Sequence, residues 1–103
     1  DGVFYTAPSE STSPAFKIFA KQYKTEYGEE PDVFGAYAYD TAMAVFKAIK
    51  NSDTIDPDKV RESLLTVSFQ GVSGDIAFRS NGDLQSEAFA RKTIINGKAV
   101  NVK

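Results

Sequence analysis

Residues 31–51, PDVFGAYAYDTAMAVFKAIKN, decide how the rest of the chain is read. Pro31-Asp32 opens a helix, with Asp32 as N-cap. Phe34, Tyr37, Ala38, Val45 and Ile49 mark one face of it, and Tyr39, Met43 and Phe46 mark another. Only Asp40, Lys47 and Asn51 leave a thin polar stripe. A helix apolar on two sides is covered on two sides. That demands more partners than a chain of 103 residues readily supplies, so missing neighbours are expected.

The segments on either side have simpler patterns. Upstream, Ser13 reads as an N-cap with Pro14 in the first helical position. Phe16, Phe19, Ala20, Tyr23 and Tyr27 follow at helical spacing, opposite Lys17, Lys21 and Lys24, and Gly28 supplies the left-handed C-cap. This predicts a one-sided amphipathic helix. Before it, Gly2-Val3-Phe4-Tyr5-Thr6 is β-branched and aromatic and stops at Pro8, which predicts a strand. A chain that opens inside a strand suggests a fragment.

Downstream, Asp56-Pro57 forms another N-cap and N1 pair, opening a short helix to about Leu65. The period then changes to two. Ile76 and Phe78 flank Ala77, Ser80-Asn81-Gly82-Asp83 is a turn, and Phe89–Ile95 alternates as a strand. Asn96-Gly97 is a two-residue hairpin signal before Ala99-Val100-Asn101-Val102. The expected class is α/β: one N-terminal strand, three helices and a C-terminal antiparallel β meander.

Composition removes several functional classes. Hydrophobic residues make up 42% of the chain, which permits a core, and the net charge of −2 is spread along it without a basic, aromatic-laced patch. Nucleic acid is therefore not an expected partner. No apolar run approaches membrane-spanning length. Cysteine and histidine are both absent, which excludes disulfides, thiolate chemistry, the usual zinc sites and histidine-dependent triads. Neither an enzyme nor a cofactor is expected.

The local motifs favour structural readings. Gly71-Val72-Ser73-Gly74 fails the spacing of a nucleophile elbow and has no histidine partner, so it reads as a tight turn before a strand. Asn81-Gly82-Asp83 with Asp75 and Glu87 invites a calcium reading, but Arg79 stands where a ligand should be, and turn chemistry explains Asn-Gly. Glu29-Glu30 and Asp56 with Asp58 sit at a loop and a helix start, where negative charge suits the helix dipole. Phe34, Tyr37 and Tyr39 cluster at the start of the second helix. They read either as core packing or as an aromatic wall of a ligand cleft.

Taken in order, these signals resemble the last third of a type I periplasmic binding protein of the branched-chain amino-acid-binding (leucine/isoleucine/valine) family, which serves ABC transporters. Gly2-Val3-Phe4-Tyr5-Thr6-Ala7-Pro8 resembles the family strand that re-enters the first lobe. Tyr23, Tyr27-Gly28 and Pro31 resemble its Y-x-x-x-Y-G-x-x-P segment, and Ala36-Tyr37-Ala38-Tyr39-Asp40-Thr41-Ala42 is similar to its A-x-x-Y-D-A helix start. Gly71–Phe78 followed by Asn81-Gly82-Asp83 resembles its F-x-G-x-x-G-x-I-x-F signature, and Asn96-Gly97-Lys98 matches its closing hairpin.

The resemblance implies a fragment of a two-lobe fold that closes on a ligand. Residues 1–70 would carry a strand and helices of the first lobe, and residues 71–103 the last hinge crossing and second-lobe strands. It implies an extracytoplasmic (periplasmic or extracellular) solute-binding component. The partners would be a small molecule such as an amino acid, in the intact parent, and the membrane permease of an ABC transporter. It places Phe34 against the ligand, with Tyr37 and Tyr39 close by. Most ligand-holding groups of the family lie outside these residues, so the ligand stays open among amino acids, amides, short acids and aromatic compounds. The fragment is expected to bind no ligand alone and to self-associate. Two other readings stand beside this one: a ligand-sensing extracellular receptor domain of the same fold, and a small protein-interaction domain.

Overall fold

Each helix begins at a capping side chain. Ser13 Oγ accepts from Phe16 N at 3.1 Å, Asp32 Oδ1 accepts from Gly35 N at 2.8 Å, and Asp56 Oδ1 accepts from Asp58 N and Lys59 N, each at 3.1 Å. Such caps each contribute about 1 kcal/mol. The computed structural model describes residues 1–86 and 89–103. Its elements are β1 (Phe4–Pro8), α1 (Pro14–Tyr27), α2 (Val33–Ser52), α3 (Pro57–Leu64), β2 (Ser68–Gln70), β3 (Asp75–Ala77), β4 (Phe89–Ile95) and β5 (Lys98–Asn101).

The α/β class and the antiparallel pairing agree with the sequence, but the strands do not form one meander. They divide between a sheet of order β1-β4-β5 and a separate β2-β3 hairpin. β1 runs antiparallel to β4, from Phe4 opposite Thr93 to Pro8 opposite Phe89. Asn96 and Gly97, with φ of 51° and 75°, form the two-residue turn between β4 and β5, as a primed hairpin turn requires. Strand β2 escapes the sequence pattern because three residues are too few to show alternation. The opening strand is thus paired on one edge by β4, and among the described residues no strand pairs its other edge.

Helix α2 is the spine. Its buried residues are Ala36, Asp40, Ala44 and Ala48, one per turn on a single face. Small side chains there let the chain come close. With Val67, Val72 and Ile76 the three alanines form the buried apolar core, so the core lies between α2 and the β2-β3 hairpin. Helix α3 closes the far end, where Ser63 Oγ donates to Ala48 O at 2.9 Å. Helix α1 leans on the start of α2 through Phe19 and Tyr39, whose ring centroids are 5.1 Å apart.

The position of Asp40 corrects the sequence reading. It reads as part of the thin polar stripe of α2, yet it is 3% exposed. The carboxylate is buried because backbone and hydroxyl donors of a later loop meet it there.

Both apolar faces of α2 are partly open: Phe34 of one is 69% exposed and Phe46 of the other 63%. The whole chain exposes 7586 Å², about a third more than the roughly 5,700 Å² expected for a self-contained globule of this mass. Its radius of gyration, 16.4 Å, likewise exceeds the roughly 13 Å expected for this length. The chain carries surface that its own residues do not cover.

Candidate functional site

Two loops meet beside the N-terminal half of α2. One is Ser9–Ser13, which leaves β1 and enters α1. The other is residues 71–74, the tip of the β2-β3 hairpin, flanked by the pair Gln70 and Asp75. This tip is closed by Gly71 N donating to Gly74 O at 2.8 Å.

Asp40 ties the second loop to the helix. Its Oδ1 accepts from Val72 N at 2.9 Å, and its Oδ2 accepts from Ser73 N at 2.8 Å and also from Ser73 Oγ. Donors on both oxygens satisfy a buried carboxylate that would otherwise be costly to bury. The approach is close enough to dictate Gly71: a Cβ there would lie 2.3 Å from Asp40 Oδ2.

Ser73 and Ser9 line two neighbouring cavities. The first, about 350 Å³, takes Ser9, Glu10 and Ser11 from the first loop, Phe34 from α2 and Ser73 from the second. The second, about 390 Å³, takes Pro8 and Ser9, Tyr37 and Thr41 from α2, and Ser73. Both volumes lie within the range of small-molecule pockets. They combine aromatic wall with hydroxyl groups, an arrangement that can orient a small polar ligand.

The three aromatic candidates separate. Phe34 stands in the first cavity and Tyr37 in the second, and these adjoin through Ser9 and Ser73. Tyr39 points elsewhere, into the groove between α1 and α2 with Phe19, Tyr23 and Tyr27. Sequence reasoning missed Ser9, Ser11, Ser73 and the role of Asp40. One signal was available: Ala36, Asp40, Ala44 and Ala48 at four-residue spacing mark a face made for close approach, and an acid in such a stripe calls for buried donors.

The calcium alternative dissolves into a turn. Asp83 N donates to Asn81 Oδ1 and Asn81 Nδ2 donates to Asp83 Oδ2, each at 3.0 Å. Glu87 lies outside the described residues. Among the described residues no cluster of metal-ligating side chains forms, and no helix is long and apolar enough to cross a membrane.

The chain is an elongated α/β fold with loop-lined cavities and uncovered helix faces, and comparison with known proteins gives its family. A family profile described as periplasmic binding protein matches residues 1–93. The chain belongs to the periplasmic binding protein family. It is 27% identical over 90 residues to a leucine-, isoleucine-, valine-, threonine- and alanine-binding protein of Pseudomonas aeruginosa, covering 86% of this chain and 24% of that one. A leucine-binding protein of Thermotoga maritima superposes with a TM-score of 0.78 at 29% identity, covering 100% of this chain and 30% of that chain. A branched-chain amino acid transporter substrate-binding protein of Streptococcus pneumoniae, solved with isoleucine, gives 0.75 at 28% identity, covering 96% and 30%. The chain thus spans about a quarter of its curated relative's length.

Proposed function

We propose that these residues are the C-terminal part of a solute-binding protein that delivers an amino acid or a related small molecule to the permease of an ABC transporter, outside the cytoplasm. The observation that carries this reading is the convergence of Ser9, Ser11, Phe34 and Ser73 on one cavity at the meeting of two loops, in a fold matching binding proteins along its whole length. The uncovered face of α2 supports a longer parent, whose remaining residues would cover Phe46 and complete the cleft.

The strand pairing suggests how the two lobes divide. The division at residues 70 and 71 puts β1 with the helices, whereas β1 pairs with β4. In this proposal β1, β4 and β5 therefore share one lobe, and α1–α3 with β2-β3 belong to the other. The chain would pass between them through the loop 9–13 and again after β3.

Calorimetric titration of the full-length protein with L-leucine, L-isoleucine and L-valine tests the function. Binding of at least one at micromolar or lower Kd supports it. No heat with any of the three, from a folded protein, would count against an aliphatic amino acid as ligand.

A further inference from the structure

The hairpin tip does not need Asp40 in order to close. Strand pairing holds Gln70 opposite Asp75, and the Gly71–Gly74 backbone bond finishes the turn. The carboxylate acts on something else, namely where the tip sits relative to α2. An apolar contact would glue the two together at lower desolvation cost, but without fixing direction. Bonds from two consecutive backbone N–H groups to two oxygens fix both position and rotation.

The side chain of Ser73 is caught in the same arrangement. A serine hydroxyl has one proton and two lone pairs. Here the proton goes to Asp40 Oδ2. What Ser73 Oγ has left to offer is acceptor capacity, and Ser73 lines both the cavity that holds Phe34 and the one that holds Tyr37.

We propose that Asp40 is a positioning residue for Ser73, and that it leaves the Ser73 hydroxyl as an acceptor, so that the ligand group met there is a hydrogen-bond donor such as an ammonium or an amide N–H. The negative charge behind Ser73 favours a cationic donor over a neutral one. The assignment rests on the small-molecule reading given above and narrows it: the donor-bearing end of the ligand lies at the 71–74 loop.

Two measurements on the full-length protein test it. Amide hydrogen exchange at Val72 and Ser73 reads the positioning role. In Asp40→Asn an NH₂ group replaces one acceptor and faces a donor, so both amides should exchange at least about tenfold faster while those of β4 and β5 are unchanged. Unchanged exchange at residues 72 and 73 overturns the positioning role whatever the ligand. Titration with L-leucine and with 4-methylpentanoate, which lacks the amino group, reads the donor assignment. Ser73→Ala keeps both backbone bonds to Asp40, so folding is preserved. It should weaken leucine about tenfold and leave 4-methylpentanoate unaffected. Equal weakening of both, or of neither, overturns the assignment. A wild-type protein that binds no leucine would count instead against the proposed function, and the donor assignment would fall with it, while the exchange result still decides the role of Asp40.

Discussion

Gly71 lies so close to Asp40 that any Cβ at that position would stand 2.3 Å from Oδ2 and 2.6 Å from Cγ. The contact is with a buried carboxylate held at three points, so the neighbour cannot swing away. Gly71→Ala in the full-length protein should therefore lower stability by about 1–3 kcal/mol. Denaturant unfolding measures this. Gly82→Ala is the comparison: no atom lies within 4 Å of a Cβ there, and its cost comes from a φ of +93° alone.

Phe34 is exposed and lines the first cavity. In the full-length protein Phe34→Ala should weaken ligand binding by about 2 kcal/mol or more, as the loss of an aromatic anchor does. Phe46→Ala, three turns further along the helix, should leave affinity unchanged and reduce thermal stability. Calorimetry and thermal unfolding of both variants separate the two effects. Equal affinity of the Phe34 variant and the wild type would remove Phe34 from the site.

The 103-residue chain alone should bind no amino acid measurably. Its cavities are only partly enclosed, and small ligands need most of their surface buried. Titration with leucine should give no heat beyond dilution, and a micromolar Kd would contradict the open-cleft picture.

The same chain in isolation should associate. Its surplus surface, roughly 1,900 Å² over that of a self-contained globule, is comparable to a standard protein–protein interface. Val3, Phe4 and Tyr5 lie exposed at the start of β1, and Tyr39 and Phe46 lie exposed on α2. Light scattering should report a dimer or larger species that Phe46→Lys weakens. A monomer at high concentration would show that these faces tolerate water.

Much of the architecture was legible because local chemistry decides it. Ser13-Pro14, Asp32 and Asp56-Pro57 announce the helix starts, and Asn96-Gly97 announces the last hairpin. What was not legible depends on residues far apart in sequence. The pairing of β1 with β4 leaves no mark in either strand. Asp40 looks like a surface acid until the amides of Val72 and Ser73 arrive from more than thirty residues away. The aromatic trio was visible as a cluster, but helix geometry sends Tyr39 toward α1 and leaves Phe34 and Tyr37 with the two serines.

The join between β1 and β4 also governs the order of events when the chain is made. Thr93 Oγ donates to Val3 O at 2.7 Å across a separation of 90 residues. A ribosome adding about 5–20 residues per second takes on the order of 5–20 s to cover that interval. Helices α2 and α3, close in sequence, can dock long before then, while β1 waits with its ladder unmade. Closing so long a loop also costs more chain entropy than any local contact, so the sheet forms late. In that interval the apolar edge at Val3–Tyr5 is free to meet another nascent chain, and its safety depends on how soon residues 89–95 leave the exit tunnel.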